Sequence, residues 1–303
     1  MLITRPCPVC NTPAEEAVLF LEESIDQTQL SSFSYASRKE PEYMCHRLVR
    51  CPTCELIYAC NPPEQTELAQ AYHIAEYDSS EEANDAALSY ISAIQPIIAK
   101  LKNKTSVLEI GSGTGVFLEL LKNEGFTELV GVEPSSAAIA AAPAHRREWI
   151  RMGIFEESSF KSASFDLVCC FMTLEHVRNP MDTALSAWRL LRPGGIFVTV
   201  THDYHSVVNR LLGKKSPIID IEHMQLFSTA SIRELFTRSG FIGIITTSFL
   251  NRYSLGYWLR LAPLPTILKR TLKWVIKKTC MNHIKLGVNV GNTIAYGFRP
   301  NNE

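Results

Sequence analysis

The run Val107-Leu108-Glu109-Ile110 breaks into Gly111-Ser112-Gly113-Thr114-Gly115, and a helix-forming segment, Val116 to Lys122, follows at once. A buried strand that ends this way opens a helix, and glycines leave out the Cβ atoms that would hold the backbone away from a ligand. The helix then points its free N-terminal amides at whatever binds there. The next apolar run, Leu129-Val130-Gly131-Val132, ends on Glu133. That carboxylate stands about twenty residues on, where a ribose-binding acid belongs in a nucleotide-binding strand–helix–strand unit. Position 116 is valine, so the spacing is Gly-x-Gly-x-Gly and the dinucleotide fingerprint is not met. The pattern points to an adenosine ligand other than NAD.

Three further segments agree. Phe165-Asp166-Leu167-Val168-Cys169-Cys170 reads as a core strand, Leu191-Arg192-Pro193-Gly194-Gly195 as a helix-ending turn, and Ile196 to Thr201 as the strand it feeds. Together with Gly131-Val132-Glu133-Pro134-Ser135 and Leu174-Glu175-His176-Val177-Arg178-Asn179-Pro180, they resemble the class I S-adenosylmethionine-dependent methyltransferases over roughly residues 85 to 300. The resemblance implies an α/β, Rossmann-like sheet of seven strands with an antiparallel last strand. It expects the third strand within Arg147 to Phe155, the sixth over Phe241 to Phe249, and the seventh, an antiparallel edge, over Thr293 to Phe298. It also places the cofactor: Glu109, Gly111, Ser112, Gly113 and Gly115 at the methionine end, and Glu133 on the ribose hydroxyls. Phe155 and Glu156 would meet the adenine, and Phe171 would form a wall.

At 303 residues with 46% hydrophobic side chains, the chain can bury one α/β core and carry a small accessory module. The accessory module announces itself as Cys7-Pro8-Val9-Cys10 and Cys51-Pro52-Thr53-Cys54, two knuckles whose four thiolates can surround one Zn²⁺. Ala17 to Leu21, His46 to Arg50 and Glu55 to Tyr58 read as the strands of a zinc ribbon, with Cys45 and Cys60 as bystanders. Too few apolar residues precede Pro62 for an independent core, so the metal would supply much of the module's folding energy. The expected division is a zinc-ribbon module over 1–62, a helical linker or lid over 63–103, and an S-adenosylmethionine-binding domain over 104–303. The order of knuckles, Leu-Ile-Tyr strand and Asn-Pro-Pro turn resembles zinc-ribbon methyltransferases of sugar and cell-surface polysaccharide biosynthesis. The implied acceptor is a sugar, nucleotide-sugar or lipid-linked saccharide.

A sulfonium methyl is already electrophilic, so the enzyme aligns a nucleophile and removes its proton. Bases are expected on the loops that leave the fourth and fifth strands and on the segment before Ser228. Candidates are Glu175-His176, Thr201-His202-Asp203-Tyr204-His205 and Asp220-Ile221-Glu222-His223. Glu222-His223 before Leu226-Phe227-Ser228 resembles the acid/base pair of deoxysugar C-methyltransferases, although Asp220 stands where a tyrosine is usual. The expected catalytic set is His223, Glu222 and His176. Met172 replaces the glutamate that a metal-dependent RNA 2′-O-methyltransferase would need, which argues against a catalytic divalent ion.

The net charge of −1 gives no drive toward nucleic acid, yet no Asp or Glu lies between Leu235 and Asn302. From Pro265 onward, Leu268, Leu272, Val275, Ile276 and Thr279 form one helical stripe, and Lys269, Arg270, Lys273 and Lys277 with Trp274 the other. The stripe reads as a packed helix with a cationic face, able to meet an anionic or lipid-linked acceptor at a membrane surface. The absence of signal-peptide and membrane-spanning runs points to a cytoplasmic protein. Two alternatives stand beside the enzyme: a catalytically silent binding protein built on the same fold, and an RNA-modifying methyltransferase.

Overall fold

The computed structural model describes residues 5–262, 264–279, 281 and 284–301. The chain opens with three short strands, β1 (Val18–Leu21), β2 (Leu48–Arg50) and β3 (Ile57–Ala59), paired antiparallel in that order. Helix α1 (Gln65–Ile74) follows, its N-terminal amides satisfied by a Glu64/Glu67 capping box. Helix α2 (Ser80–Ile98) buries Tyr90, Ile94, Ile97 and Ile98 along one side and leads into the main sheet.

Strands β4 (Ser106–Ile110), β5 (Glu128–Glu133) and β6 (Ile150–Met152) pair in parallel, with α3 (Val116–Asn123), α4 (Ser136–Ala141) and α5 (Ala144–Arg147) as crossovers. On the other side of β4 lie β7 (Phe165–Phe171), then, after α6 (Pro180–Leu190), β8 (Leu191–His202). Every residue of β4 and β7 is buried, as expected of strands covered on both faces. Past β8 come α7 (Val207–Leu212), β9 (Gln225–Leu226), α8 (Thr229–Arg238) and β10 (Ile242–Ser248). The chain ends with β11 (Asn251–Ser254), α9 (Leu255–Leu261), α10 (Thr266–Lys278), β12 (Lys285–Val288) and β13 (Asn292–Phe298).

The seven-stranded sheet runs β10-β13-β8-β7-β4-β5-β6, and β13 is antiparallel to both its neighbours. This is the expected α/β methyltransferase sheet with one correction. The antiparallel last strand is not an edge: it inserts between β8 and β10, and β10 forms the border. The physical reason is burial, since β13 is almost wholly buried whereas β10 carries only exposed and half-buried residues. The third strand is also shorter than expected, because the Arg147 to Phe155 run yields only three paired residues. Leu191 to Gly195 belongs to β8 itself. Leu191 pairs with Phe165, and Ile196 resumes opposite Leu167 after a bulge. Gly194 takes φ +77°, and a Cβ on Gly195 would lie 2.8 Å from the Arg192 carbonyl, so both glycines are required by the bulge.

Strand β9 does not join the main sheet. It pairs with β3 and completes a four-stranded sheet, β1-β2-β3-β9, whose first three strands come from the cysteine-bearing segment. The Tyr204 hydroxyl donates to the Glu55 carbonyl at 2.7 Å, and the Arg5 guanidinium donates to the Arg178 carbonyl. The apolar cluster around the knuckles is continuous with Leu174, Phe227, Ile232 and Leu235, so the small sheet shares its core with the large one.

Helix α10 departs from its expected faces. Leu268 and Val275 are exposed, as are Ile267 (82%) and Trp274 (62%), while Lys269 turns inward to Glu40 at 2.7 Å and to the Arg260 carbonyl. Of the expected stripe, Leu272 and Ile276 are half-buried, on the side where Lys269 meets Glu40. The Lys277 side chain lies outside the described residues.

Candidate active site

A cavity of about 650 Å³ opens beyond the carboxyl ends of β4, β5, β7 and β8, where ligands bind in doubly wound sheets. Its floor is the glycine loop. Gly111 N–H and Ser112 N–H both donate to the Val132 carbonyl, fastening the loop to β5. Gly111 adopts φ +78°, and a Cβ there would fall 2.2 Å from Thr173 Oγ1, so only glycine fits. Glu133 Oε2 accepts from Gly113 N–H at 2.7 Å and Oε1 from Ser135 N–H at 2.9 Å. A carboxylate oxygen can accept more than one hydrogen bond, so Glu133 retains capacity for two further donors. Burial raises the Glu133 pKa, and the two amide bonds offset part of that rise. Glu109 is buried with Oε2 unpartnered, and burial, then the charge of Glu133, holds its carboxyl well above the usual range. The cavity floor thus presents two desolvated carboxyl groups, each able to take a donor from a ligand.

Gly111, Ser112, Gly113, Phe155, Glu156 and Phe171 line this cavity. Gly115 does not. It holds φ +67° at the start of α3, and a Cβ would meet Ile150 Cδ1 at 3.2 Å, so it serves helix–strand packing beside the cavity. Phe155 stacks on Phe160, and Phe171 packs against Phe117 and Tyr90.

His176, Glu222 and His223 line the same cavity, brought together by the loop before β9. Met224 N–H donates to the Glu175 carbonyl at 2.7 Å, and the Gln225 amide donates to the carbonyls of Leu174 and Val177. These bonds lay the 220–225 segment against the loop leaving β7, so the His176 and His223 rings stand 4.9 Å apart. His223 Nδ1 faces the Ile218 carbonyl at 2.9 Å. A carbonyl only accepts, so Nδ1 carries the proton and Nε2 is left with its lone pair. Burial first, then the charge of His176, lowers the His223 pKa to about 3, and burial lowers that of His176 to about 4. Burial, then the charge of Asp220, pushes the Glu222 carboxyl well above the usual range.

Four residues outside the expected catalytic set stand around it. His202, at the end of β8, donates from Nδ1 to Glu175 Oε1 at 2.9 Å, and its own amide reaches the same oxygen at 2.8 Å. Glu175 is fully buried. Burial would raise its pKa, but the charge and hydrogen bond of His202 outweigh that and lower it. Tyr72, from α1, places its hydroxyl 3.1 Å from His176 Nδ1 and donates to the Glu222 carbonyl at 3.3 Å. Lys39 pairs with Asp220 at 2.6 Å, nearly shut off from solvent, and with the half-buried Glu42 at 2.7 Å. His202 and Glu175 were within reach of sequence reasoning as residues of the loops that leave the sheet. Tyr72 and Lys39 carry no local signal, because tertiary contacts alone bring them over.

The four knuckle cysteines form a second, separate centre. Cys7 N–H donates to Thr12 O and Asn11 N–H to Cys7 O, and Cys51 N–H with Leu56 O and Glu55 N–H with Cys51 O repeat the turn. Asn11 and Glu55 take φ of 60° and 65° at matching positions. The Cys7–Cys54 and Cys10–Cys51 sulfurs lie 3.5 and 3.4 Å apart, and all four fall within 4.8 Å of one another. A tetrahedron with Zn–S arms of about 2.3 Å has edges of about 3.8 Å, so the donor set fits a zinc ion.

The family model for the methyltransferase domain matches residues 81–244, more than half of the chain. The chain belongs to that family. Among curated relatives it is 25% identical over 166 residues to a ubiquinone biosynthesis O-methyltransferase of Aromatoleum aromaticum, covering 50% of this chain and 68% of that one. It is 30% identical over 139 residues to a probable S-adenosylmethionine-dependent methyltransferase of Mycolicibacterium smegmatis, covering 45% and 51%. The chain thus spans from half to about two thirds of the relatives' length. The YcgJ protein of Bacillus subtilis shares the fold, with a TM-score of 0.50 at 15% identity over 70% of this chain and 99% of that one. The protein is an S-adenosylmethionine-dependent methyltransferase. Among the described residues, no helix is long and apolar enough to cross a membrane.

The buried histidines make stability depend on pH with a definite sign. In the unfolded chain His176 and His223 titrate near 6.5, whereas in the fold they stay neutral down to about 4 and 3. Below pH 6.5 the unfolded state therefore binds more protons, and stability falls progressively as pH drops from 6.5 toward 4. His223→Gln should flatten this acid dependence relative to the parent in urea melts at about pH 7, 6 and 5. Parallel curves for the two proteins would show that the fold does not lower the His223 pKa.

Proposed function

We propose that this methyltransferase transfers the methyl group to an oxygen of a hydroxyl-rich small molecule, of the sugar, nucleotide-sugar or lipid-linked saccharide type. The observation that carries the reading is the ring of Tyr72, His176, His202, Glu222 and His223 sharing one cavity with the glycine loop and Glu133. Hydroxyl donors and acceptors suit such a lining, and the relatives named for O-methylation favour an oxygen nucleophile. The intact, cavity-lining Glu109, Gly111, Gly113 and Glu133 weigh against a silent binding protein. S-adenosylmethionine, when bound, supplies the electrophilic methyl group. Glu109 and the loop amides would hold its methionine end, Glu133 its ribose, and Phe155 with Glu156 its adenine.

The acid/base set in this reading is His223, Glu222 and His176, joined by His202. His202 has a carboxylate behind it, so Glu175 stabilises the imidazolium that forms when Nε2 takes the acceptor proton. His223, kept neutral by burial, offers a second Nε2 lone pair, its ring 5.5 Å from that of His202. His202→Ala and His223→Ala should each cut kcat about 100-fold while leaving S-adenosylmethionine affinity unchanged by calorimetry. Near-parent turnover in both would remove the base from this cluster.

The four-cysteine centre is proposed to hold one structural Zn²⁺, which would cross-brace the strands that carry β9 and the residues before it. Elemental analysis should find about one zinc per chain, lost in Cys51→Ser together with several degrees of Tm. A metal-free parent purified without chelator would refute this. The divisions at residues 62 and 103 remain our proposal for the chain's organisation.

The exposed Ile267, Leu268 and Trp274 of α10, beside Arg270 and Lys273, support peripheral contact with an anionic membrane surface near a lipid-linked acceptor. Co-sedimentation with anionic vesicles should exceed that with neutral ones and fall with added salt. Trp274→Glu should abolish it. Equal sedimentation with both vesicle types would leave α10 as an ordinary surface helix.

A further inference from the structure

The segment between the two cysteine knuckles reaches back over the cavity through residues 37 to 39, which belong to its lining. Arg38 takes φ +58°, a left-handed conformation that arginine seldom adopts. Its neighbours are held on both sides. Ser79 Oγ donates to the Ser37 carbonyl at 3.0 Å, Lys39 Nζ donates to the Ser34 carbonyl at 2.5 Å, and Glu40 pairs with Lys269. The fold thus holds an unfavourable backbone angle at the one residue of this segment that brings a guanidinium among the cavity's tyrosines.

Consecutive residues serve opposite ends of the cavity. Lys39 is taken up by Asp220 and Glu42, near His223. Arg38 lies instead among Tyr90, Tyr253 and Tyr257, and its charge reaches Glu109 and Glu133. Tyr90 packs on Phe171 at 5.1 Å and Phe171 on Phe117 at 4.7 Å, and Phe117 stands in the first turn after the glycine loop. This is the glycine-loop end. Among the described residues Arg38 makes no ion pair, and its Nη1 donates to the hydroxyl of its neighbour Ser37 at 3.1 Å. A cation without a partnered anion therefore shares this end of the cavity with a buried carboxyl group, Glu109, that has an orphaned oxygen. A zwitterion completes both: its ammonium answers Glu109 and its carboxylate answers the guanidinium, whose planar fork matches two carboxylate oxygens.

We propose that Arg38 binds the α-carboxylate of the S-adenosylmethionine methionine moiety, so that the cysteine-bearing segment contributes a cofactor ligand as well as a support. The adenosine and sulfonium parts of the cofactor lie outside this contact, which makes the carboxylate a separable probe. Calorimetry with S-adenosylmethionine and with decarboxylated S-adenosylmethionine should show the parent binding the former at least about tenfold more tightly. Arg38→Ala should lose at least about tenfold in affinity for S-adenosylmethionine and stay within about twofold for the decarboxylated compound, with Arg38→Lys in between. Arg38→Met keeps the apolar stem and guards against a folding defect, and it should behave as Arg38→Ala does. Equal weakening for both compounds would make Arg38 a packing residue and overturn the proposal. So would a parent that does not distinguish them, or a variant whose only defect is a raised KM for the acceptor.

Discussion

The two residues of β9 are the joint on which the site depends. Gln225 and Leu226 pair with Tyr58 and Ile57 of the small sheet, while the Gln225 side chain and the Met224 amide bind carbonyls of the loop that leaves β7. One short strand is thereby fastened to both sheets at once. Gln225, Met224 and Phe227 are completely buried, so these hydrogen bonds are made away from competing water and are costly to leave unmade. His223 and Glu222 precede this anchor directly, and their positions relative to His176 and His202 follow from it.

The anchor also explains why a small cysteine module accompanies a methyltransferase sheet. The module's apolar residues are too few for a core of their own, and its cluster runs into Leu174, Phe227 and Ile232 of the larger unit. In return it supplies β3 as the partner of β9 and the segment that carries Arg38 and Lys39 to the cavity. A cross-link near Cys7 and Cys54 would stiffen that frame without touching the reacting atoms.

The electrostatics of the cavity divide it. At the glycine-loop end, Glu109 and Glu133 are desolvated acceptors that favour bound donors. At the far end, three imidazoles and Glu175 form a dyad and a neutral pair: a carboxylate holds the proton-bearing Nδ1 of His202, and a carbonyl that of His223. Burial keeps His176 and His223 uncharged, so this end presents imidazole lone pairs rather than a repelling cluster of cations. The glycine loop with Glu133 and the histidine cluster thus line one continuous cavity.

Much of this was legible in the chain because it is local. Gly111 and Gly113 are dictated by positive backbone angles at the loop, Glu133 by its place at the end of β5, and the knuckles by a turn that repeats in Asn11 and Glu55. Hydrophobic runs located β4, β5, β7 and β8, since strands covered on both faces must be continuously apolar. Other features depended on contacts between residues far apart in sequence. Strand β13 could be assigned its direction but not its inward place, because only the packed sheet shows that β10 is the exposed border. Gly115 could be grouped with its neighbours but not assigned to packing against Ile150. The stripe on α10 could be drawn from periodicity, yet only Leu272 and Ile276 of it turn inward, and Lys269 joins them to meet Glu40. Tyr72, Lys39 and Arg38 reach the cavity from helix α1 and an irregular segment, and no pattern of spacing marks a side chain whose role is set by partners so distant along the chain. The sequence by itself determined the glycine loop, the segments of the buried parallel strands and the two cysteine knuckles, each a matter of short-range geometry. The tertiary structure alone decided which histidine meets which carboxylate, because burial and chain crossing, not sequence neighbours, set those distances.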